Sequence, residues 1–465
     1  MTHNSLTVGS HAIVIGGSMA GLLTARVLAD TFEQVTIIER DRFPTQDPAP
    51  RKGIPQATQL HILLTRGRQI MEEFFPGLEA ELIEAGAVVI DMGGDVEWLN
   101  PFGWAARFPF GFQAFSFSRC ILDWLIYQRV SKLDNIGIIE SSHVTGLQTN
   151  ADQTAVTGVF VRQRGDDSQP LQPQELTADL VVDTSGYSSQ APKWLQAIGY
   201  DAPEETTIST SMGYASRLYE IPPNFSENWK GVYIQAAPPQ RTEMGVLYPI
   251  ENNRWIVGVC ATAPHRPSKH EADFLEALKN LPSPHIYNAV KNAQPVTDIS
   301  IYAPPGNRLR HYERLSRQPQ GFIALGDSVC SFTPIYGQGM TVAALGAVLL
   351  QQRLQDTDLA QLPHRFQKEL AQVNTTPWIA ATSQDAKYPS VQGLTQPPSA
   401  IAKAIGWYMD RLIQLTTKEP QVTLTLFQVF HMLEPSSILF HPSIVWRVIQ
   451  QLLVRSPQPK LMPVE

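Results

Sequence analysis

The stretch Ala12-Ile13-Val14-Ile15-Gly16-Gly17-Ser18-Met19-Ala20-Gly21-Leu22, followed by Val35-Thr36-Ile37-Ile38-Glu39-Arg40, decides the fold. His11 to Ile15 is a short apolar run of strand length. Met19 to Asp30 sets Leu22, Leu23, Val27 and Leu28 at helical spacing, and Val35 to Ile38 is a second strand. A glycine-rich turn between strand and helix presents unpaired backbone N–H groups and the positive end of the helix dipole, which together receive a pyrophosphate. Gly16 permits the tight turn and Gly21 permits close packing of helix on strand, while Ser18 stands where the middle glycine of the fingerprint is expected. Its hydroxyl takes room from a phosphate but can donate to one. Glu39, at the end of the second strand, is placed to accept from a ribose hydroxyl.

A second segment, more than three hundred residues on, reads as a grip on the same dinucleotide: Gly326-Asp327-Ser328, then Pro334-Ile335-Tyr336-Gly337-Gln338-Gly339-Met340. Phe322 to Leu325 is a buried strand, so the Asp327 carboxylate emerges at a strand's carboxyl end, where ligands of α/β proteins sit. It can accept from ribityl hydroxyls. Gly337 and Gly339 let backbone approach a flat ring, and a helix beginning near Met340 aims its positive end at that ring. In this order, the two segments point to an FAD-dependent oxidoreductase.

The rest of the chain bounds this reading. Its 465 residues exceed one ordinary core. The net charge of -7 argues against a nucleic-acid partner. Cys120, Cys260 and Cys330 are scattered, with no disulfide or zinc spacing, which fits a cytoplasmic setting and predicts no metal site. Cys330 is read as a small buried apolar residue. The apolar stretch from Ala12 to Leu28 is punctuated by glycines and lacks a basic lead, so it is not read as a signal peptide, and no segment is long enough to predict a spanning helix.

The expected architecture is α/β: a Rossmann-like FAD-binding domain with an inserted, mostly antiparallel β-sheet substrate domain and a C-terminal helical region. FAD-binding parts are expected at 1–85, 119–200 and 311–358, substrate-domain parts at 86–118 and 201–310, and the helical region at 359–465. Helices are predicted at Gln59–Phe75, Arg119–Ser131, about 268–292 and Met340–Leu354, and a strand at about 295–302. Beyond Leu359 the pattern is helical, with breaks at Pro377, Pro397-Pro398 and Pro420.

These segments resemble the FAD-dependent monooxygenases of the para-hydroxybenzoate hydroxylase fold, the group A flavoproteins. Arg51-Lys52-Gly53-Ile54-Pro55-Gln56, His61-Ile62-Leu63 and Asp183-Thr184-Ser185-Gly186 are similar to the bacterial epoxidases of polyether pathways. The resemblance implies that Gly16, Gly17, Ser18, Met19, Ala20 and Gly21 hold the pyrophosphate, with Glu39 and Arg40 at the adenosine ribose. It places Arg119 at the phosphates, the Val144 backbone at the adenine, Asp327 at the ribityl chain, and Pro334, Gly337, Gly339 and Met340 around the ring. Arg119 also reads as one partner of a surface salt bridge and Val144 as a plain strand residue.

NADH or NADPH would supply hydride, O2 would be co-substrate, and a flavin C4a-hydroperoxide would pass one oxygen to an alkene or electron-rich ring. One departure stands out. The family's middle motif is Asp-Gly, associated with FAD and reduced nicotinamide, and here it is Asp183-Thr184.

No side chain is singled out as catalytic, since the flavin carries the chemistry; Gln56 and His61 are pocket candidates, and His61 reads equally as a satisfied core histidine. The substrate is expected to be a hydrophobic small molecule, as in secondary metabolism. A halogenase or a prenyl-group reductase shares the fold, and so would a flavin-binding protein without activity. The halogenase segment Trp-x-Trp-x-Ile-Pro is absent. Tail aromatics such as Trp407, Phe427 and Trp446 read first as core, and second as a lid or a membrane-surface face.

Overall fold

The computed structural model describes residues 7–164, 174–395, 397 and 399–453. Its centre is a five-stranded sheet in the order Phe322–Ala324, Leu180–Asp183, Gly9–Ile15, Phe32–Ile38, Ile136–Ile139, every neighbour parallel. Parallel strands are covered on both faces and so read as unbroken apolar runs, and Ala12, Ile13 and Val14 have no exposed surface. Register aligns Ile15 with both Ile38 and Asp183, and Asp183 with Ala324. The strands therefore end together, and the turns after Ile15, Asp183 and Ala324 share one carboxyl edge.

Helix Met19–Ala29 packs against helix Gly339–Asp356, which in turn meets helix Thr65–Phe74 where a Cβ on Gly67 would stand 2.4 Å from the Thr341 hydroxyl. The inserted sheet has seven strands, in the order Ser300–Tyr302, Gly213–Glu220, Arg254–Ala261, Met244–Ile250, Gly231–Ile234, Val96–Asn100, Gly103–Trp104. It is antiparallel except where Gly231–Ile234 pairs parallel to Val96–Asn100. Its own core gathers around Trp255, Tyr219 and Phe274. Helices Ala400–Leu415, Pro420–Phe430 and Pro442–Leu453 form the tail over a separate apolar cluster.

Several local predictions need correction. The helix expected from Gln59 begins only at Thr65, after a short 3-10 turn at Pro55–Thr58. Residues 59–64 stay extended because tertiary partners claim them. The Gln59 side chain donates to the Ser300 carbonyl at 3.1 Å and accepts from the Ser216 hydroxyl at 2.9 Å, and Leu63 forms a bridge to Phe115. Pro377 does not break its helix, which runs continuously from Leu362 to Asp385. A proline there removes one backbone bond, and burial of Leu362, Phe366, Leu370 and Ala381 along the same helix outweighs that loss.

The helices expected at about 268–292 are Glu271–Lys279 and His285–Val290, whereas the strand expected at about 295–302 shrinks to Ser300–Tyr302. Pro420 opens a helix at its first turn, as the missing N–H allows. Pro398 and the end of the tail, 454–465, lie outside the described residues.

Candidate flavin site

The glycine turn follows its strand directly. Gly16 has φ +98°, and its N–H donates to the Ile38 carbonyl at 2.8 Å, locking the turn onto the second strand. A Cβ on Gly21 would lie 1.8 Å from the Gly16 carbonyl oxygen, so the helix is seated as closely as backbone permits. Ser18 caps that helix in an extended conformation without a side-chain cap bond. Its hydroxyl and the first-turn N–H groups are thus uncommitted at a half-buried surface, as a pyrophosphate site requires.

Glu39 is buried and bound from three sides. It accepts from Gly17 N–H at 2.6 Å and Asp41 N–H at 2.9 Å, with the Arg51 guanidinium 3.6 Å away. Arg51 also donates to the Gly17 carbonyl at 2.8 Å and lies over the Phe43 ring at 4.3 Å, while Phe43 stacks on Tyr127. Arg40, grouped with Glu39 in the sequence, turns away and donates to the Gly53 carbonyl at 2.9 Å. Arg51 takes the inner place instead. Nothing in the local pattern separated these two arginines, because the choice depends on a loop folding back over the turn.

Val144 is buried in strand Ser142–Thr149, next to a bulge, and that strand begins with Ser142 N–H donating to the Glu39 carbonyl at 2.9 Å. The expected adenine contact thus lies beside the expected ribose contact.

The second segment reaches the same edge. Gly326, at φ +68°, comes so near the first helix that its Cβ would stand 2.7 Å from the Ala20 Cβ. A short 3-10 turn, Gly326–Ser328, carries Asp327. Burial pushes the Asp327 carboxyl up to about 6, while Arg119 and Arg308 pull it the other way. Its Oδ1 lies 4.0 Å from the Cβ position of Gly339, at the start of helix Gly339–Asp356. Gly337, at φ +62°, abuts Ile62: a Cβ there would come within 2.3 Å of Ile62 Cγ2. Cys330 is buried, and burial raises its thiol well above the usual range.

The departure in the middle motif acquires a physical meaning. Thr184 does not project toward the cofactor side; its hydroxyl donates to the carbonyls of Ile15 at 2.8 Å and Gly16 at 3.0 Å, beneath the glycine turn. Asp183 is fully buried and accepts from the Ser185 and Ser189 hydroxyls, each at 2.5 Å. Burial raises its carboxyl and these bonds oppose that rise. Both side chains brace the strand end.

Sequence reasoning missed the brace behind Pro334–Gly339. Asn307, on strand Asn307–Arg310, accepts from Thr333 N–H at 2.7 Å and donates to Asp385 at 2.6 Å. Asp385 also accepts from the Tyr336 hydroxyl at 2.7 Å, and burial raises its carboxyl. Helix Leu362–Asp385 therefore fixes the loop expected to meet the flavin ring. The signal was invisible because these partners lie 26 to 78 residues apart.

Arg119 is buried, with its Nε donating to Asp123 at 2.7 Å. Its positive charge lowers the pKa of both Asp327 and His61, against burial at the first and with burial at the second. His61 donates from Nδ1 or accepts there against the Gln59 carbonyl at 2.9 Å; as a carbonyl only accepts, Nδ1 carries the proton. Burial first, and Arg119 second, lower its pKa to about 4, which keeps the ring neutral near pH 7. It lines a small, largely apolar cavity with Ile62, Ile90, Met92, Ala114, Phe115, Ser116 and Tyr248. Gln56 is half-buried without a side-chain hydrogen bond among the described residues, and Gln59 is the glutamine built into the structure.

Uncommitted donors at Ser18, a carboxylate pair at Glu39 and Asp327 some 290 residues apart, and a glycine-lined helix start fit a flavin dinucleotide in chemistry and order. Comparison with known proteins agrees. Residues 128–357 match the family model described as FAD binding domain. Protein Rv3254 of Mycobacterium tuberculosis is 30% identical over 442 residues, covering 93% of this chain and 91% of that protein.

Among solved structures, the flavin-dependent brominase Bmp2 superposes with a TM-score of 0.64 at 15% identity, covering 96% of this chain and all 100% of that one. PqsL, a probable FAD-dependent monooxygenase of Pseudomonas aeruginosa, superposes with a TM-score of 0.59 at 17% identity over 81% of this chain and 96% of that one. At such identities these two likenesses speak to the fold.

Proposed function

We propose that this chain, an FAD binding domain protein related to Protein Rv3254 and sharing its fold with flavin-dependent monooxygenases and halogenases, is an FAD-dependent monooxygenase that inserts one atom of O2 into a hydrophobic small molecule, as an epoxidase or hydroxylase using NADH or NADPH. The observation that carries the reading is the meeting of the glycine turn, Asp327 and the Gly337–Gly339 helix start at one sheet edge, next to the apolar cavity lined by His61 and Tyr248. FAD, when bound, supplies hydride acceptance and oxygen activation.

The chain's own part is to hold and to dry. Ser18 and the first-turn N–H groups would take the pyrophosphate, Glu39 the adenosine ribose, and Asp327 the ribityl chain. The start of helix Gly339–Asp356 would favour negative charge on the ring facing it. Ile62, Ile90, Met92 and Phe115 would exclude water from the reacting face, which suppresses wasteful release of peroxide. Neutral His61 adds no charge there.

The absence of Trp-x-Trp-x-Ile-Pro argues against halogenation, although halogenases share the fold. The test is oxygen uptake coupled to product mass, with candidate polyenes, terpenoids and indoles as substrates. One oxygen gained per substrate supports the proposal; two hydrogens gained identifies a reductase, and peroxide release without product from a broad panel identifies a flavoprotein lacking this activity.

A further inference from the structure

The tail helices pose a physical problem that flavin binding does not address. Thirteen large apolar residues stand exposed among the described residues, and nine of them lie between Ile401 and Leu453. The inner faces of these helices are accounted for, because Leu412, Leu415, Val422, Leu439, Ile444 and Val448 form a buried cluster between them. Apolar side chains are exposed outside that cluster as well. Ile401 and Ile405 continue the stripe of Leu412 and Leu415 along helix Ala400–Leu415, and at its first turns, beyond the cluster, they stand 74% and 46% exposed. Trp446 and Ile449 share a face of helix Pro442–Leu453, at 56% and 40% exposure. Apolar helix surface left open in this way is stable when something other than water meets it.

Charge indicates what that is. The chain carries a net charge of -7, yet among the described residues from Ala386 onward there are five lysines and arginines against three acids. Lys403 stands exposed in the same first turns as Ile401 and Ile405, and Arg411 lies 5.8 Å from the Trp407 ring. Acids nearby are already matched: Asp410 pairs with Lys387 at 2.8 Å and Glu419 pairs with Arg447. Helix Pro442–Leu453 contains no acid at all. An outward apolar face with tryptophans, bordered by cations and poor in free acids, is the composition of a segment lying in the interface of an anionic bilayer. A second copy fits less well, since a two-fold contact would bring the same cations together.

We propose that helices Ala400–Leu415 and Pro442–Leu453 dock this protein on the surface of an anionic phospholipid bilayer. No helix among the described residues is long and apolar enough to cross a membrane, so the contact is peripheral. The helix between them, Pro420–Phe430, turns inward: Leu424 and Phe427 pack in the same cluster as Ile90, Met92 and Tyr248, which line the candidate cavity. An apolar substrate leaving the bilayer would meet apolar side chains on its way to that cavity. This last step rests on the proposed oxygenase reading; the docking does not.

The test uses the full chain and co-sedimentation with vesicles of phosphatidylcholine alone or with one quarter phosphatidylglycerol. Binding is expected on the anionic vesicles, weaker on neutral ones, and reduced by raised salt as screening of the cations requires. Ile405→Ser combined with Trp446→Ser should lower the partition coefficient about tenfold or more, from the apolar area removed. Lys403→Glu should weaken binding to anionic vesicles and leave neutral ones unchanged.

All three sites are exposed, so FAD content and far-UV circular dichroism should match the parent and confirm folding. Absence of binding to anionic vesicles, or binding indifferent to these substitutions, overturns the proposal. So does a dimer that the double substitution converts to monomer while vesicles bind nothing, because the face then belongs to a second copy. Vesicle binding is read from the protein itself, so it stands or falls separately from any oxygenation assay.

Discussion

Replacing Glu39 by Gln changes one atom type at the point where the first motif meets the rest of the site. The carboxylate accepts from two backbone N–H groups, Gly17 at 2.6 Å and Asp41 at 2.9 Å, one on each oxygen. An amide has one accepting oxygen, so one N–H must face an NH2 group instead. A buried donor left unsatisfied costs about 1–3 kcal/mol. Arg51 loses the carboxylate 3.6 Å from its Nη1, and its remaining contacts are the Gly17 carbonyl and the Phe43 ring. Breaking a buried pair by removing one charge costs about 3–5 kcal/mol, and those remaining contacts place the loss at the lower end.

The apo protein should therefore lose roughly 4–6 kcal/mol, read as a lowered urea midpoint at unchanged slope. FAD affinity should fall further, because a ribose diol donating to a carboxylate is worth about 1.5–3 kcal/mol, or about 10- to 100-fold in Kd. Quenching of flavin fluorescence on titration measures the second quantity. If Kd stays within about twofold of the parent, Glu39 does not hold the ribose, and the dinucleotide reading of the first motif loses its anchor.

Gly21→Ala sets a methyl against the Gly16 carbonyl, where the backbone allows 1.8 Å, and should lower stability by at least about 1–3 kcal/mol and abolish yellow colour on purification. Gly17→Ala meets side chains, the Phe43 ring at 2.6 Å and the Glu39 carboxylate at 3.2 Å, rather than backbone, so it should be the milder of the two by thermal melting. His431 is buried, with Nδ1 receiving Thr65 N–H at 3.2 Å and its carbonyl receiving Arg66 N–H at 3.2 Å, and burial lowers its pKa to about 3. Because the folded pKa lies below the unfolded 6.5, its contribution is full above pH 6.5 and is lost as pH falls toward 3, at up to about 1.4 kcal/mol per pH unit. Urea midpoints from pH 7 to pH 4 should show that slope in the parent and a shallower one in His431→Gln; equal slopes refute it.

Asp327, raised to about 6, should accept ribityl hydroxyls best once ionised, so FAD titrations should tighten as pH rises through 6 and flatten in Asp327→Asn. A parallel pH profile in both proteins would remove Asp327 from the cofactor's contacts.

The sequence by itself determined the strand–turn–helix–strand opening, because glycine spacing and an unbroken apolar run obey local rules: Gly16 needs positive φ and Gly21 needs the space. It determined equally that Asp327 would leave a buried strand end and that a helix would start near Met340. What decided Arg51 over Arg40, the extended path of residues 59–64, the helix through Pro377 and the Asn307–Asp385 brace was contact between segments remote in the chain. Local propensity at these positions is worth less than about 1 kcal/mol per residue for all but proline, and a buried hydrogen bond or packed helix face overrides it.

The inward turn of Thr184 belongs to the same class: its hydroxyl is a departure when read along the chain and a backbone tie when read across the sheet. Residue order fixed which groups the site could contain, and only the folded edge, with three parallel strands ending in register, fixed which of them face the same space.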